Sequence, residues 1–298
     1  MRRPLIYPHR EAYVAAPRKA VALIGMSGVG KTSIAQMLRG AGDWFHYSVD
    51  YRIGTRYMGE RIVDAFKRAA MQTPLLRELL MSDSIYIASN ITFENLAPLS
   101  TYLGKPGDTA RGGLPFEEYV RRQRQHREAE ISALLDAPEF IEKAREIYGY
   151  HHVICDTGGS ICEVVDPMDP TDPVLVQLSE AMLLVRIRET DAMAEELVRR
   201  FIAAPKPMYY NEEFLRQIWR EYRGQGGLAE TEVDPDAFAR WGFRRIVEHR
   251  RPLYAAIGDN WGVTVDAADI ARVRSAEAFD ALIGDAVAAA AEHGAVTS

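Results

Sequence analysis

The 298-residue sequence has only two cysteines, Cys155 and Cys162, too few for a disulfide framework or a four-ligand zinc site. Both read as buried thiols of a reducing cytoplasm. No apolar run approaches the roughly 20 residues that cross a bilayer, and the alanine-rich stretch 286–291 is far shorter. In place of an apolar signal core, the first ten residues carry Arg2, Arg3, Pro4, Pro8, His9 and Arg10. A basic excess is also missing: 36 Lys and Arg against 42 Asp and Glu leave a net charge of −6, which excludes a protein that grips nucleic acid with its whole surface. No repeat of fixed period is present. What remains is a globular composition, 47% hydrophobic and 26% charged, long enough for one large α/β domain with an insertion. The expectation is a cytoplasmic protein with no membrane partner and no nucleic acid partner.

Residues 1–18 contain three prolines and little periodicity, which fits an arm laid over the surface. The run 19–24 (KAVALI) is short, continuous and rich in branched residues, as expected of a strand covered on both faces in a parallel sheet. From Lys31 to Leu38 the pattern turns helical, with Ile34, Met37 and Leu38 on one side and Gly40 as the expected stop. Four further apolar segments, 44–49, 152–155, 182–187 and 262–265, read as strands of the same sheet. About a hundred residues separate the second from the third and read mostly as helix, so 53–150 is expected to be a helical insertion into a core of 19–52 and 151–298. Within it, Gly104, Gly107, Gly112 and Gly113 mark a surface loop or a flap that closes over ligand. The run Arg121, Arg122, Arg124 and Arg127 reads as a solvated helix face, the alternative being a face that contacts phosphates.

Gly25, Met26, Ser27, Gly28, Val29, Gly30, Lys31 and Thr32 fit G-x-x-x-x-G-K-[ST] without a gap. The motif follows a buried strand and opens a helix, the context its chemistry requires. Its glycines let the backbone curl round a phosphate with N–H groups pointing inward, and the positive end of the helix adds a favourable field. Lys31 is expected on the β- and γ-phosphates and the Thr32 hydroxyl on Mg²⁺, with Ser33 completing the cofactor-binding set. Asp156 ends the third strand and is the expected carboxylate partner of the metal. Gly158 and Gly159 follow it and allow close approach of whatever lies opposite the nucleotide. Asp50 ends the second strand, where a carboxylate would orient an acceptor hydroxyl and take its proton, and Arg52 would neutralise an acidic acceptor.

These motifs resemble the shikimate kinase family, within the adenylate-kinase-like P-loop small-molecule kinases. The segments that carry the resemblance are the glycine-rich loop, Ser48-Val49-Asp50 against the family's Asp-x-Asp, and Thr157-Gly158-Gly159-Ser160 against its Thr-Gly-Gly-Gly turn. To these are added 196–208 (ELVRRFIAAPKPM), similar to its helix and lid, and 250–259 (RRPLYAAIGD), similar to its Arg-x-Pro-Leu-Tyr helix. The resemblance implies a three-layer P-loop NTPase fold with a parallel five-stranded sheet in the order 2-3-1-4-5. It assigns Asp50 to the acceptor hydroxyl, Arg250 to an anionic group of the acceptor, Lys206 to the lid and Arg200 to the adenine or lid hinge. Ser48 replaces the family's first Asp, and the chain is far longer than a shikimate kinase, so shikimate itself is not the expected acceptor. The function implied is ATP- and Mg²⁺-dependent transfer to a hydroxyl of a small anionic molecule, with Lys31, Asp50, Lys206 and Arg200 as the catalytic set. The rival is an ATPase or nucleotide-dependent switch whose insertion binds a protein partner.

Overall fold

A computed structural model gives the structure of the chain and describes residues 3–296; residues 1–2 of the expected arm and 297–298 of the expected core lie outside the described residues. The chain divides into two compact units, one of Met1–Val49, Leu134–Ala204 and Phe243–Ser298, the other of Asp50–Ala133 and Pro205–Gly242.

The first unit is built on five parallel strands, β1 (Ala20–Ile24), β2 (Trp44–Ser48), β3 (His152–Asp156), β4 (Leu183–Arg188) and β5 (Gly262–Asp266), in the order β2-β3-β1-β4-β5. Every residue of β1 is buried, as its position between β3 and β4 requires. Alternate residues of a strand point to opposite faces, and β2 shows what covers each. Phe45 and Tyr47 meet Phe140 of the Ala137–Glu146 helix at 6.4 and 4.8 Å between ring centres, while Trp44 meets Phe279 of the Ala276–Val296 helix at 5.7 Å. Helices therefore lie on both sides of the sheet, an α/β arrangement in three layers. Each fully buried Leu or Ile of such a core contributes about 1.5–3 kcal/mol, and Leu23, Ile24 and Leu38 are among those with no exposed surface.

Residues 10–14 of the arm form a short helix, Arg10–Val14. Tyr13 is fully buried; its hydroxyl donates to Asp280 at 2.9 Å, and Lys19 Nζ reaches the same carboxylate at 2.6 Å. The arm is thus pinned to the last helix by one shared anion. The Lys31–Gly40 helix ends at Gly40, the expected stop, with Ala41 as its C-cap.

The second unit is mainly helical, including Gly59–Ala70, Pro74–Met81, Ala97–Leu103 and Glu212–Gly226, around an aromatic cluster in which Phe116 stacks on Trp219 at 4.6 Å and Trp219 meets Phe238 edge-on at 5.0 Å. Its limits differ from the expected insertion 53–150. Residues 134–150 belong to the sheet unit, because the Ala137–Glu146 helix buries Ile141 and Ala144 and sets Phe140 on β2. Residues 205–242, expected in the core, join the helical unit instead. Among the described residues no helix is long and apolar enough to cross a membrane.

Candidate functional site

β1 delivers the chain into the loop 25–32. Gly25 takes φ 149°, and a Cβ there would lie 2.7 Å from the Ile187 carbonyl oxygen of neighbouring β4, so no larger residue fits. Gly30 takes φ 102° as the N-cap of the Lys31–Gly40 helix, a left-handed conformation that glycine adopts without strain. Lys31 is 5% exposed, and its Nζ donates to the carbonyls of Gly25 at 2.7 Å and Met26 at 2.9 Å. The ammonium is held inside the curl of the loop. Thr32 and Ser33 open the helix on its exposed side.

The carboxyl end of β3 meets this loop through Asp156, which is 5% exposed. The Thr32 hydroxyl donates to its Oδ2 at 2.6 Å, and its Oδ1 accepts from the Gly158 N–H at 3.2 Å. A hydroxyl and a carboxylate side by side are hard oxygen donors of the kind Mg²⁺ takes, one or two from protein with phosphate oxygens and water supplying the rest. Among the described residues there is no cluster of three His, Cys, Asp or Glu side chains that could hold a metal by itself. The donor set fits a metal shared with a phosphate ligand. Cys155 behind Asp156 is buried, and burial together with the Asp156 charge pushes its thiol up, which makes it an inert packing residue.

On the β4 side, a cavity of about 220 Å³ opens between loop residues 26–29 and the Asp191–Ala203 helix, with Glu189, Glu196 and Arg200 in its wall. A Cβ at Gly28 would lie 3.6 Å from Arg200 Nη2, so this cation lies close to the loop. Glu196 lies 3.5 Å from Arg200 Nε.

Arg250 occupies a different setting from the one its acceptor-binding role implied. Its Nε donates to Glu163 Oε1 at 2.8 Å and its Nη1 to the Gly159 carbonyl at 2.8 Å, with the side chains 7% and 0% exposed. Burial alone would push the Glu163 carboxyl up, but the Arg250 charge and the His249 imidazole outweigh it and hold the group below the usual carboxylate range. Arg250 remains charged for the same reason, burial being overridden by Glu163. The guanidinium is turned inward and fastens the turn that carries Gly158 and Gly159. A Cβ on Gly159 would sit 3.6 Å from the Ser27 backbone nitrogen, so that turn lies close against the loop.

Asp50, Arg52 and Lys206 belong to the second unit. Asp50 lies in the Val49–Arg52 helix directly after β2, whose last residue, Ser48, is in register with Asp156. Arg52 lies over the Tyr57 ring at 5.6 Å, and Lys206 is exposed. The glycine-rich segment 104–115 is not a loose flap. Gly107 N–H donates to Leu114 O at 2.9 Å, Leu114 N–H to Lys105 O at 2.8 Å and Asp108 N–H to Val233 O at 2.8 Å. In the basic run, Arg121 and Arg122 both bind Glu118, and Arg124 forks onto Glu212. These hydrogen bonds, opposed by partial burial, hold Glu118 down at about 2. A face balanced in this way offers little uncompensated charge to phosphates.

Sequence reasoning missed two carboxylates. Glu189 lies one residue past the end of β4 and accepts from Arg251 Nε at 3.1 Å. Glu163 finds its partner 87 residues away, which no local pattern reports. No protein-family model matches the chain, and no curated protein matches it.

Proposed function

We propose that the chain is a P-loop phosphotransferase that binds ATP with Mg²⁺ and moves the γ-phosphoryl group to a hydroxyl of a small anionic acceptor. The observation that carries the reading is the Thr32 hydroxyl bonded to the Asp156 carboxylate at 2.6 Å, next to a loop whose lysine is buried in its curl. When bound, the metal would polarise the phosphate oxygens and balance their charge. Loop N–H groups and Lys31 would hold the β- and γ-phosphates, while Thr32 and Asp156 would orient the metal. Arg200 would neutralise charge that builds up on the transferring group; an inserted arginine in related chemistry contributes about 10³–10⁵ in rate. The sequence assigns Asp50 as the base that takes the acceptor's hydroxyl proton as the new P–O bond forms and the bond to the departing nucleoside diphosphate breaks, and Arg52 as the partner of the acceptor's anionic group. Arg250 serves this reading through the Gly158–Gly159 turn.

The test is incubation with γ-labelled ATP and a small-molecule extract. A labelled acceptor is expected, with Asp50→Asn sparing ATP affinity and lowering transfer by about 10² or more. Unchanged transfer in that variant would remove Asp50 from its role. A second reading, an ATPase that acts through a bound protein, is favoured by one feature of the helical unit. No residue of the Pro74–Met81 helix is buried, and Leu75, Met81 and Tyr86 are 64, 73 and 85% exposed, an apolar surface of the kind a partner covers. Label appearing only as free phosphate would select that reading.

A further inference from the structure

The Asp191–Ala203 helix, which carries Arg200, follows β4 after a short joint, Glu189 and Thr190. Thr190 caps the helix, its hydroxyl accepting from the Met193 N–H at 3.2 Å. Arg251 of the Pro235–Trp261 helix grips this joint from both sides. Its Nε donates to Glu189 Oε1 at 3.1 Å and its Nη2 to Asp191 Oδ1 at 2.6 Å. The two bonds differ in setting. The Glu189 side chain is 3% exposed and is faced by the Arg186 charge as well, whereas Asp191 is 84% exposed. At its other end the Asp191–Ala203 helix is held to the same partner helix by Phe201, stacked on Phe243 at 3.7 Å between ring centres. With that end fixed and the start tied to β4, the freedom left to the helix is rotation about its own axis. A side chain at the surface of a helix lies about 6 Å from the axis, so a turn of about 20° moves it by about 2 Å. A displacement of that size is enough to cost a catalytic group about 10²-fold.

We infer that Arg251 is a positioning residue: by spanning the joint it fixes the rotation of the Asp191–Ala203 helix and so the approach of Arg200 to the loop. The inference rests on the phosphoryl-transfer reading and adds to it the group that aims its cation. A guanidinium suits the task, because donors set in one rigid plane hold two carboxylates at a fixed angle. The bond to Glu189 is shielded from solvent and sets the joint, while the exposed bond to Asp191 completes the grip and is the weaker of the two.

The test reads ADP formation from MgATP with the small-molecule extract present, since ADP accompanies both transfer and hydrolysis. Arg251→Ala is expected to lower it about tenfold or more, and Asp191→Ala, a change at an exposed position, about two- to fivefold. In Arg200→Ala protein neither change is expected to lower it further, because the group being aimed is gone. A residue that only stabilised the fold would act equally in both backgrounds, so additive losses would overturn the inference. A wild-type rate in folded Arg251→Ala would overturn it too. Should Arg251→Ala not fold, Asp191→Ala decides, and an unaltered rate there would overturn the inference while leaving the phosphate-binding loop intact. Absence of ADP formation by the wild type would remove the phosphoryl-transfer reading and the inference together.

Discussion

His46 on β2 is 4% exposed, and burial, reinforced by the Arg39 charge against an opposing pull from Asp156, lowers its pKa to about 4. A histidine is near 6.5 in the unfolded chain, so below that value the unfolded state takes up a proton that the folded state refuses. The neutral imidazole therefore contributes stability that is fully present above pH 6.5 and falls away as the pH drops toward 4, on the order of 2–3 kcal/mol in all. Urea denaturation from pH 7 to pH 4 should show that slope in the wild type and lose it in His46→Leu. A slope that persists unchanged in the variant would assign the acid sensitivity elsewhere. Glu163 acts in a separate window: its folded pKa is depressed, so its contribution is present above the ordinary carboxylate range and is lost below it. At this scale the sequence was legible where a residue's place in an element fixes its job. A motif names Lys31 and Thr32 and a strand end names Asp156, and the structure brings Thr32 and Asp156 within hydrogen-bond distance. Arg250 was assigned by resemblance, and its partner Glu163, 87 residues away, could not be seen from a linear pattern.

The turn after β3 is the element that ties these residues together. Thr157 Oγ1 donates to the Leu23 carbonyl at 2.9 Å, which locks the turn to β1, and Arg250 fastens its Gly159 carbonyl to the Pro235–Trp261 helix. Removing one member of a buried ion pair leaves the other charge uncompensated and costs about 3–5 kcal/mol, whereas replacing both with apolar residues is often neutral. Arg250→Met and Glu163→Leu are each expected to fall in that range in urea denaturation, and the double variant to recover most of the loss. If the three variants were additive, the pair would not be the fastening described. The five strands were legible because each is a short apolar run bounded by breakers, and the segments expected at 19–24, 44–49, 152–155, 182–187 and 262–265 overlap all five. The Ala137–Glu146 helix fell within a stretch expected to be helical but was not legible as a cover of the sheet, since an amphipathic stripe reveals that a face is buried and not against what.

For the whole molecule, the division into units was the least legible feature. The helical unit draws on two separate stretches, 50–133 and 205–242, and a reading that moves along the chain tends to see one insertion and one lengthened core. Aromatic pairs such as Phe116 with Trp219 join those stretches across about a hundred residues, a long-range choice set by packing rather than by local propensity. The net charge of −6 and the carboxylate-balanced arginines at 121–124 leave little uncompensated positive charge there for a polyanion. The account as a whole depends on the loop 25–32 holding a triphosphate. Titration calorimetry of wild type and Lys31→Ala with MgATP tests this most directly. The account predicts saturable binding by the wild type and a loss of at least about tenfold in the variant, as expected when a buried charge-assisted phosphate contact is removed. Absence of heat with folded wild-type protein, or equal affinity in the two proteins, would contradict it.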